Sequence, residues 1–432
     1  MALVIKRERY LKQLIRLRDN GQVKIITGIR RCGKSFLLNR IFASYLMLDG
    51  VGPANIIQID LDDDTNARYR NPMELSAFIR SRIFNNEEPF YVLIDEIQQV
   101  GTVPNPYLPN ANIGFTDVLN GLRNIPNVDV YVTGSNSKML SSDIATEFRG
   151  RGDIIRLHPL TYDEFYEAFQ GEKRLAWREF ITYGGMPKIL SIDNHEDKAK
   201  YLSELFSLIY IKDIIERNKL RASETVLDTL LNIVASSVGS LTNPTKIADT
   251  FTSIGKIKIK NETVARYLEC FIDAFILSKA IRYDIKGRSY IESPLKYYYT
   301  DAGLRNAKIN FRQQEENHIM ENVLYNEFKA RGFNIDVGIV PHRWKDSDGK
   351  TRQTALEVDF ILNKGNKQYY IQSALTIANE EKRMQEINSL SRVDDSFDKI
   401  VIVKDDILPW TDDKGIRYIN VEEFLLKDIN DL

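Results

Sequence analysis

A chain of 432 residues has room for roughly three domains at about 150 residues each. Its 59 Lys and Arg against 60 Asp and Glu exclude a chain-wide polycation for nucleic acid or anionic lipid, so any basic surface is local. Cys32 and Cys270 are too few for a disulfide framework, no stretch approaches the ~18 uninterrupted apolar residues of a spanning helix, and Met1–Tyr10 lacks a signal-peptide core, which together predict a cytoplasmic protein.

Leu11, Leu14, Ile15 and Leu17 recur at helical spacing before Asn20-Gly21, a C-cap signal, and predict a leading helix. The β-branched run Val23–Thr27 then predicts a strand, and Phe36–Phe42 an apolar helix. Between them stands Gly28-Ile29-Arg30-Arg31-Cys32-Gly33-Lys34-Ser35, the pattern GxxxxGK[ST] in strand-to-helix context. Its two glycines let the backbone curl until successive N–H groups face one point, to which the next helix adds its positive end. That nest suits a polyphosphate. Lys34 reaches the β- and γ-phosphates as a point charge, and the Ser35 hydroxyl completes the oxygen shell of a Mg²⁺ ion. The binding segment is thus Gly28, Ile29, Arg30, Arg31, Cys32, Gly33, Lys34, Ser35 and Phe36. Arg30 and Arg31 clamp phosphates or fix neighbouring acids. Cys32 reads as a small residue filling a tight turn, with a low-pKa thiol as the alternative. The leading helix would lie beside the nucleotide, with Arg9 and Tyr10 as packing residues or contacts to the base.

Asn55–Leu61 predicts a strand, Asp62-Asp63-Asp64 a solvated acidic loop, and Met73–Phe84 a polar helix. The apolar run Phe90–Ile94 predicts a strand buried on both faces, with Asp95 and Glu96 at its carboxyl end, where ligands of parallel α/β sheets lie. Asp95 is assigned to Mg²⁺, directly or through water, and Glu96 to orienting or deprotonating the attacking water. The segment 101–110, rich in Pro, Asn and Gly, predicts a surface loop. A further buried strand, Val128–Thr133, ends in Gly134-Ser135-Asn136-Ser137, which makes Ser135 and Asn136 candidate sensors of the γ-phosphate or turn residues only. Arg151, then Arg149, are candidates for a guanidinium that meets charge growing on the γ-phosphate; supplied from a neighbouring subunit, it would require a homo-oligomer.

In this order, the phosphate loop, Asp95-Glu96, Thr133-Gly134-Ser135-Asn136 and Arg149-Gly150-Arg151 resemble an AAA+-type P-loop ATPase. With His158-Pro159-Leu160-Thr161-Tyr162-Asp163-Glu164-Phe165 and Gly184-Gly185-Met186-Pro187, the chain is similar nearly end to end to a large bacterial and archaeal family of uncharacterised ATPases. The resemblance implies an ATPase core with a helical lid and a functionally undefined C-terminal domain, and supplies no substrate.

From Tyr162 to about Leu220 the pattern is helical, with an apolar face of Leu205, Leu208, Ile209, Ile211 and Ile215. Residues 224–301 predict helices to Val238, over Thr245–Phe251 and from the N-cap Asn261, then a hairpin whose basic tip is Lys286-Gly287-Arg288. This order resembles a winged helix, for which Lys256, Lys258, Lys260, Arg266, Lys286 and Arg288 would contact duplex DNA. Protein docking is the other reading.

The last unit has a helix over Asn317–Arg331 with Glu321 and Glu327, strands Leu356–Leu362 and Gln368–Gln372, a helix Glu380–Leu390 and a strand Lys399–Val403. It resembles the core of restriction-endonuclease-like domains, whose Mg²⁺ is held by a helix Glu, a strand Asp and the Glu of a later Glu-x-Lys. Glu321 and Asp359 match the first two positions, but the third reads Gln372-Ser373-Ala374, without acid or lysine, which predicts a binding or scaffold domain rather than a nuclease.

The expected fold is therefore α/β, a P-loop parallel sheet over 1–160 with a helical lid over 161–222, a winged-helix unit over 223–308 and an endonuclease-like unit over 309–432. The expected activity is Mg²⁺-dependent ATP hydrolysis that moves the C-terminal units. The competing expectation is a switch or scaffold that holds ATP or ADP with negligible turnover.

Overall fold

The computed structural model describes residues 5–83, 87–134, 152–220, 222–255, 258–312, 315–345, 347–348 and 350–429. The chain divides into two compact units, the first running to Pro159 and including Asp273–Phe275, the second holding the rest. The expected boundary at 160 falls one residue away, whereas those at 222 and 308 fall inside the second unit.

The first unit opens with α1, Glu8–Leu17. Tyr10 is 1% exposed, and its hydroxyl accepts from the His158 amide at 3.2 Å. Packing thus accounts for Tyr10. Five parallel strands follow: β1 (Val23–Thr27), β2 (Ile56–Asp60), β3 (Phe90–Asp95), β4 (Val128–Gly134) and β5 (Gly152–Arg156), in the spatial order β2-β3-β4-β1-β5. β1, β3 and β4 are buried throughout, as apolar runs covered on both faces require. Two charges inside them neutralise each other: the Lys24 ammonium donates to Asp129, which also accepts from the Tyr131 hydroxyl at 2.7 Å. After the phosphate loop, α2 (Lys34–Phe36) continues through a π-helical turn, Leu37–Phe42, into α3 (Ala43–Leu48). α4 (Pro72–Arg82) is stopped upstream by Asn71, whose side chain accepts from the Met73 amide at 2.9 Å. The predicted loop 101–110 includes one strand of a minimal hairpin, Val103–Pro104 against Asn112–Ile113, before α5 (Phe115–Arg123). One apolar core cluster gathers β1–β4, α4 and α5.

The second unit begins with helices α6 (Tyr162–Ala168), α7 (Lys173–Tyr183), α8 (His195–Glu204) and α9 (Ile211–Asn218). Two stretches quoted for the family resemblance meet here: the Leu160 amide donates to Gly185 O at 2.7 Å, and Thr161 opens α6 with a capping box to Glu164. Helices α10 (Glu224–Ser236), α11 (Pro244–Gly255) and α12 (Asn261–Asp273) precede the hairpin β6 (Leu277–Asp284) and β7 (Ser289–Tyr299). Then come α13 (Ala302–Lys308), α14 (Glu316–Ala330), β8 (Asn334–Lys345), β9 (Thr351–Lys364), β10 (Lys367–Ala374), α15 (Glu380–Glu386), β11 (Asp398–Val403), β12 (Trp410–Thr411), β13 (Ile416–Asn420) and α16 (Val421–Leu426).

The hairpin expected as a wing is not a separate ribbon. β6 pairs in parallel with β8, Val337 beside Arg282, so one eight-stranded sheet runs β12-β13-β11-β10-β9-β8-β6-β7. The reason lies in β8, whose residues 337–340 are buried and require pairing on both edges. No helix among the described residues is long and apolar enough to cross a membrane.

Candidate nucleotide site

The loop between β1 and α2 has the backbone that its glycines foretell. Gly28 has φ +149° and Gly33 φ +101°, and Arg31 sits at φ +72°. A Cβ on Gly28 would lie 2.1 Å from the Leu157 carbonyl oxygen, so the approach of that strand end admits only glycine. Ile29 and Cys32 are buried beneath the loop, with Cys32 Sγ 3.6 Å from Leu157 O. Cys32 therefore fills the turn, and a reactive thiol is not what its burial provides. Arg31 is exposed and Arg30 half-buried. Lys34 is 4% exposed, its ammonium donating to Gly28 O at 3.1 Å and Ile29 O at 3.2 Å. The charge is held at the mouth of its own loop.

β4, inserted between β1 and β3, carries Thr133 to the edge of Asp95. The Thr133 hydroxyl donates to Asp95 Oδ1 and accepts from the Glu96 amide at 3.0 Å. Ser35 also hydrogen-bonds the Asp95 carboxylate. Burial raises the Asp95 carboxyl above its ordinary range, with Ser35 and Thr133 opposing, Asp60 adding to the rise and Lys34 opposing it. Glu96 is raised by burial too, against the Lys34 charge and a hydrogen bond from Gln98. Its backbone takes the left-handed region, φ +54°, which turns the residue after β3 out of the strand direction. Asp60 lies in register beside Asp95 and borders, with Ser35, Phe36, Asn39, Arg40 and Gln58, a cleft of about 580 Å³.

Sequence reasoning thus finds a site whose described members, Lys34, Ser35, Asp95 and Glu96, are brought together. It names Thr133 within a motif and Asp60 within a strand but assigns neither a role. The signal available for Thr133 was a lone hydroxyl ending an apolar strand; the strand order that puts it beside Asp95 comes from the structure. Ser135, Asn136, Arg149 and Arg151 lie outside the described residues, as does Lys256. Lys258, Lys260, Arg266, Lys286 and Arg288 are exposed in the second unit, but acids accompany the hairpin tip: Asp284 accepts from the Lys286 and Gly287 amides.

Residues 20–166 match the family model of an AAA domain, and residues 174–315 that of a domain of unknown function, DUF8612. An uncharacterized protein of Haemophilus influenzae is 32% identical over 429 residues, spanning 98% of this chain and 99% of the relative. The chain belongs to the same family as that protein. Uncharacterized protein MJ1544 of Methanocaldococcus jannaschii is 27% identical over 423 residues, 93% of this chain and 88% of its own. Among solved structures, a Walker-type ATPase of Pyrococcus abyssi aligns with 71% of this chain and 96% of its own at 16% identity and a TM-score of 0.48. The AAA-domain match of this family member covers most of the first unit and the start of the second.

Proposed function

We propose that the protein binds ATP with Mg²⁺ in the first unit and hydrolyses it, using the cycle to change the conformation of its C-terminal unit. The observation that carries the proposal is the convergence of a buried ammonium, a hydroxyl and two carboxylates at the carboxyl ends of β1, β3 and β4. In this reading the loop amides and Lys34 hold the phosphates, and Ser35 and Asp95 hold the metal, which neutralises charge on the β- and γ-phosphates. Thr133 fixes Asp95 and the Glu96 backbone together, so the Glu96 carboxylate faces the attacking water from a set direction. The lid role of 161–222, an arginine supplied by Arg151 or Arg149, and duplex DNA contact through Lys258, Lys260, Lys286 and Arg288 remain parts of the proposal supported by sequence pattern.

Steady-state ATP hydrolysis tests it, measured across protein concentrations with and without duplex DNA. Wild type should turn over with Mg²⁺, Lys34→Ala should lose nucleotide, and Glu96→Gln should keep ATP while losing turnover. Retention of ATP without wild-type turnover favours the switch reading, and no retention at all refutes both. DNA contact predicts binding that falls steeply with salt and is lost on neutralising Lys258, Lys286 and Arg288.

A further inference from the structure

The second unit contains a buried charge cluster remote in sequence from the phosphate loop. Lys296, on β7, is 2% exposed, and its ammonium lies 2.7 Å from Glu321 Oε1 of α14 and 2.6 Å from Glu357 Oε1 of β9. Asp359 Oδ1, two residues along β9 on the same face, is 4.0 Å from it. Glu321 Oε1 also accepts from the Tyr298 hydroxyl at 2.7 Å, and Asp359 Oδ2 accepts from the Ser373 amide at 2.8 Å. On the far side, Glu321 Oε2 packs against Gly239, where a Cβ would stand 3.0 Å away.

Glu321 and Asp359 are the two acids that the resemblance to restriction-endonuclease-like domains assigns to Mg²⁺. The donor set does not fit that ion. Mg²⁺ asks for six oxygens at about 2.0–2.1 Å and keeps several of its waters. Here two carboxylates are already spaced at hydrogen-bond distance around one ammonium, the second oxygen of Glu321 faces Gly239, and Gln372 accepts from the Ser389 hydroxyl at 3.4 Å. Among the described residues no group of three or more His, Cys, Asp or Glu is placed to hold a metal. The lysine absent after Gln372 is replaced by a lysine from another strand, and it stands among the acids rather than beside them.

We propose that the Lys296 ammonium is the resident cation of this cage, in place of a divalent metal, and that its covalent attachment to β7 makes the cage a clasp joining the hairpin to α14 and β9. The one ammonium offsets part of the charge of the three carboxylates, of which Glu321 and Asp359 are buried and Glu357 is 30% exposed. The carboxylates of the clasp are therefore spent on holding three elements together, and the unit keeps the framework of a metal site with no vacancy for the metal.

The full-length chain without nucleotide tests this, with Mn²⁺ alone as the probe. Wild-type protein should show no Mn²⁺ binding by electron paramagnetic resonance that Glu321→Gln abolishes, and no Mn²⁺-dependent rise in melting temperature that depends on Glu321. Lys296→Met leaves the acids uncompensated, so its melting temperature should fall on the order of 10 °C. Mn²⁺ should recover part of that loss in Lys296→Met and none in the Lys296→Met, Glu321→Gln double variant. Glu321-dependent Mn²⁺ binding by the wild type overturns the proposal, whether or not Lys296→Met folds. A folded Lys296→Met that gains no Mn²⁺ response overturns it as well.

Discussion

Thr133→Val removes one hydroxyl from the buried junction of β3 and β4 and leaves the shape nearly unchanged. Thr133 is fully buried, donates to Asp95 and accepts from the Glu96 amide. Losing a donor to a buried carboxylate costs about 1.5–3 kcal/mol, and orphaning the part-buried Glu96 amide about 1–3 kcal/mol. Valine relieves none of this, so about 2.5–6 kcal/mol of stability should go, a drop in melting temperature on the order of 10 °C for the first unit. Turnover should suffer more, since Asp95 and Glu96 both lose their common anchor and a displacement of about 1 Å costs ~10²-fold in rate. Nucleotide affinity, which the proposal places on the loop amides and Lys34, should change little. Steady-state hydrolysis, nucleotide binding and thermal melting of wild type, Thr133→Val and Thr133→Ser measure the three effects, with serine restoring most of the rate. A Thr133→Val protein that melts and turns over as wild type refutes the reasoning, because the junction would then not depend on the hydroxyl.

Gly28→Ala should abolish nucleotide retention and lower the melting temperature, because the new methyl meets Leu157 O at 2.1 Å; Gly21→Ala, with φ +72° and open space around it, should cost only about 1 kcal/mol and keep the nucleotide. In the second unit, Gly303→Ala should destabilise strongly, since its Cβ would fall 1.9 Å from Tyr183 O, and a melt that leaves the unit unchanged would contradict the packing of α13 on the end of α7. Asp301, which accepts from the Gly185 and Leu304 amides, is pushed by burial from 3.8 to about 6, against those bonds. The folded state therefore holds its proton more tightly than the unfolded chain, and the contribution is full below about pH 4 and lost as pH rises through about 6, a change of ~3 kcal/mol. Urea midpoints of wild type and Asp301→Asn between pH 4.5 and 7.5 check the sign: the wild type should weaken relative to the variant as pH rises, and a constant difference would refute it.

The GxxxxGK[ST] stretch, the apolar run before Asp95-Glu96 and the Asn55–Leu61 strand could be placed from sequence because each is local: glycine freedom, a two-face buried run and a short β-branched run need no distant partner. The hairpin at 277–299 was legible as a hairpin for the same reason. What sequence could not supply were relations between segments far apart in the chain. Only the order β2-β3-β4-β1-β5 sets Thr133 against Asp95, only the pairing of β6 with β8 merges two expected domains into one sheet, and only the convergence of β7, α14 and β9 sets Lys296 among Glu321, Glu357 and Asp359. Conformational preference acts along a few residues of chain, whereas burial and charge pairing act across space. The phosphate loop was therefore determined by its own residues, and the partners of its carboxylates and of the C-terminal acids were decided by packing.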